Sequence, residues 1–148
     1  MTASPTEKLP VLLREHTPAD LGFIVNAWIT NYQKAGEVED LTPDIYCPSQ
    51  RGQINRFLRA GGCTLVVSEA DPTQFFGFIC FERDEKASVG VVHYVYVKKT
   101  FRGVGLGKQM VAHAFRGLQM RFYTHRAPRR QDERVLRLAG AKFNLFLR

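Results

Sequence analysis

The stretch YVYVKKTFRGVGLGKQMVAHAF, residues 94–115, limits what this chain can become more than any other. An apolar run rich in β-branched and aromatic residues reads as a strand. Glycines 103, 105 and 107 then alternate through a turn. Leu106, Met110, Val111, Ala114, Phe115 and Leu118 follow on one face of a helix. A turn so rich in glycine lets the backbone come close to a ligand. The helix behind it presents unpaired N–H groups and the positive end of its dipole. An anion is stabilised at such a place, and Arg102 and Lys108 add positive charge. The plain alternative is a turn whose glycines serve steric ends and whose cations are merely solvated.

The common phosphate motifs do not fit this turn. A Walker loop fails twice: Gln109 follows Gly107-Lys108, and Arg102 stands where the first glycine belongs. A dinucleotide fingerprint would need glycine at 108, and it normally follows the first strand of a βαβ unit.

The rest of the chain gives the frame. Residues 11–15 read as a strand. Thr17 and Pro18 open a helix, with Asp20 three residues after the cap. Leu21, Ile24, Val25, Trp28, Ile29 and Tyr32 carry that helix to about Lys34. The acidic segment 36–48 is a loop, and Ser49 caps a second helix that stops at Gly61-Gly62. Strands follow at 63–70, 75–83 and 88–97, the last being the longest. The second alternates imperfectly, as expected of a strand buried on both faces. A strand at 121–125, a basic helix from Pro128 to Ala139 capped by Gly140, and a strand at 142–147 complete the order β-α-α-β-β-β-α-β-α-β. Hairpins in the middle and helical crossovers at the end predict a mixed, mostly antiparallel sheet of six to seven strands. Helices on both faces make the fold class α/β, of the α+β kind.

A length of 148 residues fits one domain, residues 11–148, after a polar lead-in at 1–10. No apolar run reaches membrane-spanning length, so no membrane partner is expected. Three widely spaced cysteines point to a reducing, cytoplasmic setting. No His/Cys spacing suits a metal, and no nucleophile elbow is present. The net charge of +7 calls for an anionic partner: nucleic acid, an acidic protein or a phosphorylated small molecule. Arginines crowd the last third, at 121, 126, 129, 130, 134 and 137, whereas Glu37, Glu39, Asp40 and Asp44 gather in the loop. Phe75, Phe76, Phe78 and Phe81 suit a core better than a base-stacking platform.

The run from Arg102 to Gly107 resembles the Arg/Gln-x-x-Gly-x-Gly/Ala signature of the GCN5-related N-acetyltransferases (GNAT). Val95-Tyr96-Val97 looks like that family's fourth strand, and the element order over 11–147 is similar to its fold. The resemblance implies acetyl-CoA as cofactor. It places Arg102, Gly103, Val104, Gly105, Leu106, Gly107 and Lys108 on the pyrophosphate of coenzyme A, and Val95 and Val97 on the pantetheine arm. It implies a thioester in the gap between strands 88–97 and 121–125, attacked directly by a primary amine with no covalent enzyme intermediate. The amine belongs to a small molecule or a protein, and a homodimer is a further expectation, since such folds often dimerise.

An alkyl ammonium, with a pKa near ~10, must lose a proton before it attacks. His93, Tyr94 and Glu82 are the candidate bases. His93 lies near where relatives often carry a glutamate, and imidazole titrates in the right range; the alternative is an ordinary half-buried strand residue. His113, on the polar face of its helix, is expected to be solvated. The family's usual acid, a tyrosine in the last helix, falls on Leu136, and Arg129 stands where an asparagine is common. Tyr123, Tyr96 or solvent is left to protonate the thiolate. In relatives the segment between the first two helices lines the acceptor side, which would set Glu37, Glu39 and Asp40 on a cationic amine; the alternative is a solvated loop. A rival reading is a catalytically weak module of the same fold that holds nucleic acid or an acidic protein on its arginine-rich third.

Overall fold

The computed structural model describes residues 10–27, 62–124 and 130–144, with Gly52 and Arg56 in helical conformation. One sheet runs β1 (Val11–Glu15), β2 (Cys63–Ser68), β3 (Phe75–Asp84), β4 (Val89–Val97), β5 (Met120–Tyr123) and β6 (Lys142–Phe143), in that spatial order. The pairings from β1 to β4 are antiparallel, and β4–β5 and β5–β6 are parallel. The described helices are α1 (21–27), α2 (Leu106–Phe115) and α3 (Arg130–Leu138). Short turns make the hairpins, and the two helical crossovers make the parallel pairs, as chain connectivity requires.

Both faces of the sheet are covered. Ile24 and Val25 of α1 pack with Leu65, Val67, Phe78 and Tyr94 on one face. On the other, Met110 and Phe115 of α2 and Leu136 of α3 pack with Val66, Ile79, Val92 and Val95. The apolar stripe read from the α2 sequence is the stripe it buries. The phenylalanines of β3 are core residues: Phe76 and Phe78 are buried, and Phe75 stacks on Phe23 with centroids 4.9 Å apart.

Two bulges explain the irregular patterns. Val66 pairs with Gly77 but Val67 with Phe75, so Phe76 is an extra residue in β3. Phe75 and Phe78 therefore share a face although three positions apart. In β4, Tyr94 pairs with Cys80 but Val92 with Phe81, so His93 is the extra residue. Val92 and Val95 share the α2 face for the same reason.

Several boundaries differ from expectation. The longest strand is β3, with 10 residues against 9 in β4. Ser88 is taken into the turn by a φ of 55° and an N–H bond to the Glu85 carbonyl at 3.3 Å. The first helix begins as a 3₁₀ turn, Pro18–Asp20, because Asp20 reaches back. Its carboxylate accepts the Thr17 N–H at 2.8 Å and the Thr17 hydroxyl at 3.1 Å, as in a capping box. Arg14 binds the same carboxylate in bidentate fashion, at 2.8 and 3.1 Å. Those bonds outweigh burial and hold the Asp20 pKa down to about 2, with the Arg14 hydrogen bond the largest cause. The β5 strand starts one residue earlier than expected and ends at Tyr123, although the Thr124 N–H still bonds β4.

One helix end is closed by a residue distant in sequence and another by its own following turn. Arg83 of β3 donates to the Ala114 and Arg116 carbonyls at 2.7 and 2.8 Å, satisfying the C-terminus of α2. Past α3, Gly140 (φ 83°) allows the Gly140 and Ala141 N–H groups to bond the Arg137 and Leu136 carbonyls. Among the described residues no helix is long and apolar enough to cross a membrane.

Candidate active site

The turn between β4 and α2 is fixed at its entry. The Arg102 Nε donates to the Val97 carbonyl at 2.9 Å, folding the chain back across the end of β4. Gly103 and Gly105 take φ values of 87° and 84°, a region that L side chains avoid. Gly107 is different. Its φ is not positive, it stands in the first turn of α2, and a Cβ there would meet nothing within 4 Å. Neither backbone nor packing asks for glycine, and alanine would favour the helix by about 1 kcal/mol.

This turn forms one wall of a groove of about 660 Å³. Val97, Arg102, Gly103, Gly105, Leu106, Gly107 and Lys108 line one side. Val135, Leu138 and Ala139 of α3, with Arg121 of β5, line the other. Two of the expected cofactor residues lie outside it. Val104 is 55% exposed, and Val95 is buried under α2. The β4 backbone still points the right way. The Lys98 N–H bonds Phe76 of β3, so by alternation the peptide groups of Val95 and Val97 turn away from β3, toward the β5 side. The bond from the Thr124 N–H to the Val92 carbonyl, 3.1 Å, is the last described link between β4 and β5.

His93 sits where that ladder ends. It is 1% exposed. Its Nε2 lies 2.9 Å from Glu82 Oε2 of β3, and its Nδ1 lies 2.8 Å from the Thr124 hydroxyl. Burial lowers the His93 pKa, and the Glu82 carboxylate opposes the shift. The net direction favours the neutral ring. A carboxylate only accepts, so Nε2 carries the hydrogen and Nδ1 accepts from Thr124. Glu82 has a side chain 36% exposed and borders a second hollow, of about 690 Å³. This hollow touches Val89 and Val91, at the opposite end of β4 from the groove. His93 lies between the two.

The remaining candidates are placed as follows. Tyr94 is buried against Phe78 on the α1 face, with centroids 5.7 Å apart. Tyr96 packs beside the same Phe78, at 5.4 Å. Tyr123 is 2% exposed on the α2 face and donates its hydroxyl to Glu133 of α3 at 2.9 Å. It thus shares a face with Val92, while its neighbour Thr124 meets His93. Leu136 is a buried core residue, as a leucine on the inner face of α3 should be. His113 is half-buried and set edge-on to Phe81 at 5.9 Å, not solvated. Its pKa is lowered by burial first, then by Arg116 and Arg83. Glu37, Glu39, Asp40 and Arg129 lie outside the described residues. Thr124 and Glu133 carry no signal in the sequence, and Arg121 is legible there only as one of the arginines of the last third. Only their tertiary partners single them out.

Residues 24–136 match the acetyltransferase (GNAT) family. No functionally curated protein is significantly similar to the sequence. Among solved structures, a putative acetyltransferase from Pyrococcus horikoshii is 17% identical, with a TM-score of 0.52 over 77% of this chain and 36% of its own. This chain thus spans about a third of that relative's length. A Corynebacterium glutamicum structure described as histone acetyltransferase HPA2 and related acetyltransferase is 15% identical, with a TM-score of 0.53 over 70% and 69% of the two chains. A Listeria monocytogenes GNAT-family acetyltransferase is 21% identical, with a TM-score of 0.50 over 70% and 67%. At these identities the structures speak for the fold alone. The family match spans most of the chain, and with it the strand, the glycine turn and the helix that follows: the chain belongs to the GNAT acetyltransferase family.

Proposed function

We propose that the chain moves an acetyl group from acetyl-CoA to a primary amine by direct attack within a ternary complex. The observation that carries this reading is Gly107, a helical glycine required by neither backbone nor packing, on the wall of a cationic groove. A ligand that approaches the α2 N-terminus closely gives it a purpose. The groove suits coenzyme A in its chemistry. The N–H groups at the start of α2, with Arg102 and Lys108, would hold the pyrophosphate. Val135 and Leu138 offer apolar surface, and Arg121 a further cation. The outward peptide groups of Val95 and Val97 would pair with the pantetheine amides. Bound there, the thioester supplies an activated acetyl group.

His93 is the base in this reading, favoured as the neutral ring and oriented by Glu82. Glu37, Glu39 and Asp40 would draw a cationic amine toward the acceptor side. The hydroxyl of Tyr123 is held by Glu133, so the leaving thiolate takes its proton most simply from solvent. The rival, a nucleic-acid module, would rest on exposed arginines of α3 such as Arg134, while two other described arginines are engaged within the fold. Arg121 bonds the Leu118 and Ala139 carbonyls, and Arg137 pairs with Glu133.

The test is thermal stability with acetyl-CoA, heparin or duplex DNA, followed by thiol release over a panel of amines. A rise in Tm with acetyl-CoA alone, and amine-dependent thiol release, are expected. Tight, steeply salt-dependent polyanion binding with indifference to coenzyme A would overturn the reading.

A further inference from the structure

We propose that two copies of the chain pair along β1, antiparallel about a twofold axis at Leu13, so that one sheet continues through both. Among the described residues β1 is an edge strand. The Glu69 N–H bonds the Pro10 carbonyl and the His16 N–H bonds the Cys63 carbonyl. In the β1–β2 register this turns the backbone groups of Leu12 and Arg14 toward β2. Those of Val11, Leu13 and Glu15 therefore point away from the sheet. The Glu15 carbonyl accepts the neighbouring Arg14 guanidinium at 3.3 Å. The outward groups of Val11 and Leu13 have no partner among the described residues.

Such an edge is a template for another strand, and proteins usually blunt it with proline, a bulge or lysine. The stretch VLLRE holds none of these. Its one cation, Arg14, is turned onto Asp20 of its own chain. Leu12 is left 45% exposed, one of four large apolar side chains so placed among the described residues.

The edge is complementary to itself, which favours a second copy as its occupant. With Leu13 on the axis, Val11 stands opposite Glu15 of the second copy, and each outward N–H meets an outward carbonyl. On the α2 face Leu13 meets its own counterpart, and Val11 meets the stem of Glu15. On the other face Leu12 lies against Arg14 of the second copy, whose charge Asp20 already answers. No like charges stand opposite each other. The strand holds one arginine and one glutamate, so chains of net charge +7 meet along a neutral strip. The groove lies toward the other edge of the sheet and stays open in both copies.

The test is sedimentation equilibrium of the full chain from about 5 to about 200 µM, with amide hydrogen exchange at both ends of that range. The mass should rise from the 16.9 kDa of one chain toward twice that value. The amides of Val11, Leu13 and Glu15 should exchange fast when dilute and slowly when concentrated. Those of Leu12 and Arg14, in the β1–β2 ladder, should stay protected throughout. Leu12→Arg sets like charges opposite each other, twice over by symmetry, and should weaken association at least about tenfold. Leu12→Glu, facing Arg14, should keep it. Leu13→Pro removes an N–H that the single chain does not use and should leave a folded monomer. A parent of single-chain mass at about 200 µM overturns the proposal. So does a dimer whose outward β1 amides exchange equally fast at both concentrations, or one that is as tight in Leu12→Arg as in the parent. Because Leu12 is exposed, its variants decide the matter even if Leu13→Pro fails to fold.

Discussion

The glycines of β3 and β4 and those of the turn that follows look alike in sequence and do opposite things. Gly77 and Gly90 are glycine because the fold leaves no room. A Cβ at Gly77 would press into the Tyr96 carbonyl oxygen and lie 3.2 Å from Val97 Cα. One at Gly90 would meet Leu118 and Phe115 side-chain carbons at 2.8 Å. Around Gly103, Gly105 and Gly107 nothing comes within 4 Å of a built Cβ. Two of these need glycine for their φ, and Gly107 needs it for nothing inside the protein. The sheet glycines serve folding. The turn glycines face outward into a groove, which is where a ligand would fill the space.

Substitutions can break this contrast. The largest effect is expected at the turn. Gly105→Glu should weaken coenzyme A binding more than 100-fold, through strain at a positive φ and a carboxylate set against the pyrophosphate; unchanged affinity by calorimetry would count against the site. Next comes Gly77→Ala. The new methyl group meets backbone, which cannot swing aside, so chemical denaturation should show a loss of about 3 kcal/mol or more. Gly90→Ala should cost about 1–3 kcal/mol, because the ends of side chains can give way. If Gly77→Ala and Gly90→Ala were silent, the close packing of β3 on β4 and of β4 on α2 would be misdescribed.

The smallest effect is a control outside both sets. The Asp20 pKa is depressed, to about 2, so its contribution is fully present above the unfolded value near 4 and fades as pH falls through 2. The contribution should be about 1–2 kcal/mol at neutral pH. Asp20→Asn should flatten that part of the stability–pH curve and leave coenzyme A affinity unchanged. A parallel curve would mean that the Arg14 pair does not form in solution.

The contrast also shows what the sequence could reveal. Alternation, caps and helical spacing are local, so the strands, the α2 stripe and the Gly140 cap were legible. Connectivity gave the antiparallel middle and the parallel end. The glycine turn was legible because its residues are consecutive. The bulges were not: the broken alternation of 75–83 was visible, but only pairing shows that Phe76 and His93 are the extra residues. The hydrogen-bonded trio Glu82, His93 and Thr124 was hidden for a related reason. Its bonds join residues 11 and 31 positions apart, across a register set by the bulge. His113 stands at a polar helical position that the pattern assigns to solvent, whereas Phe81 packs against its ring.

The most direct test of the central claim is calorimetric titration of coenzyme A into the parent chain and Gly107→Glu. A glutamate there needs no unusual φ and meets no neighbouring atom at its Cβ, so Tm should move by no more than about 2–4 °C. The parent should bind with clear heat and the variant with none. Equal binding by both, or none by a folded parent, would contradict a pyrophosphate site at the start of α2.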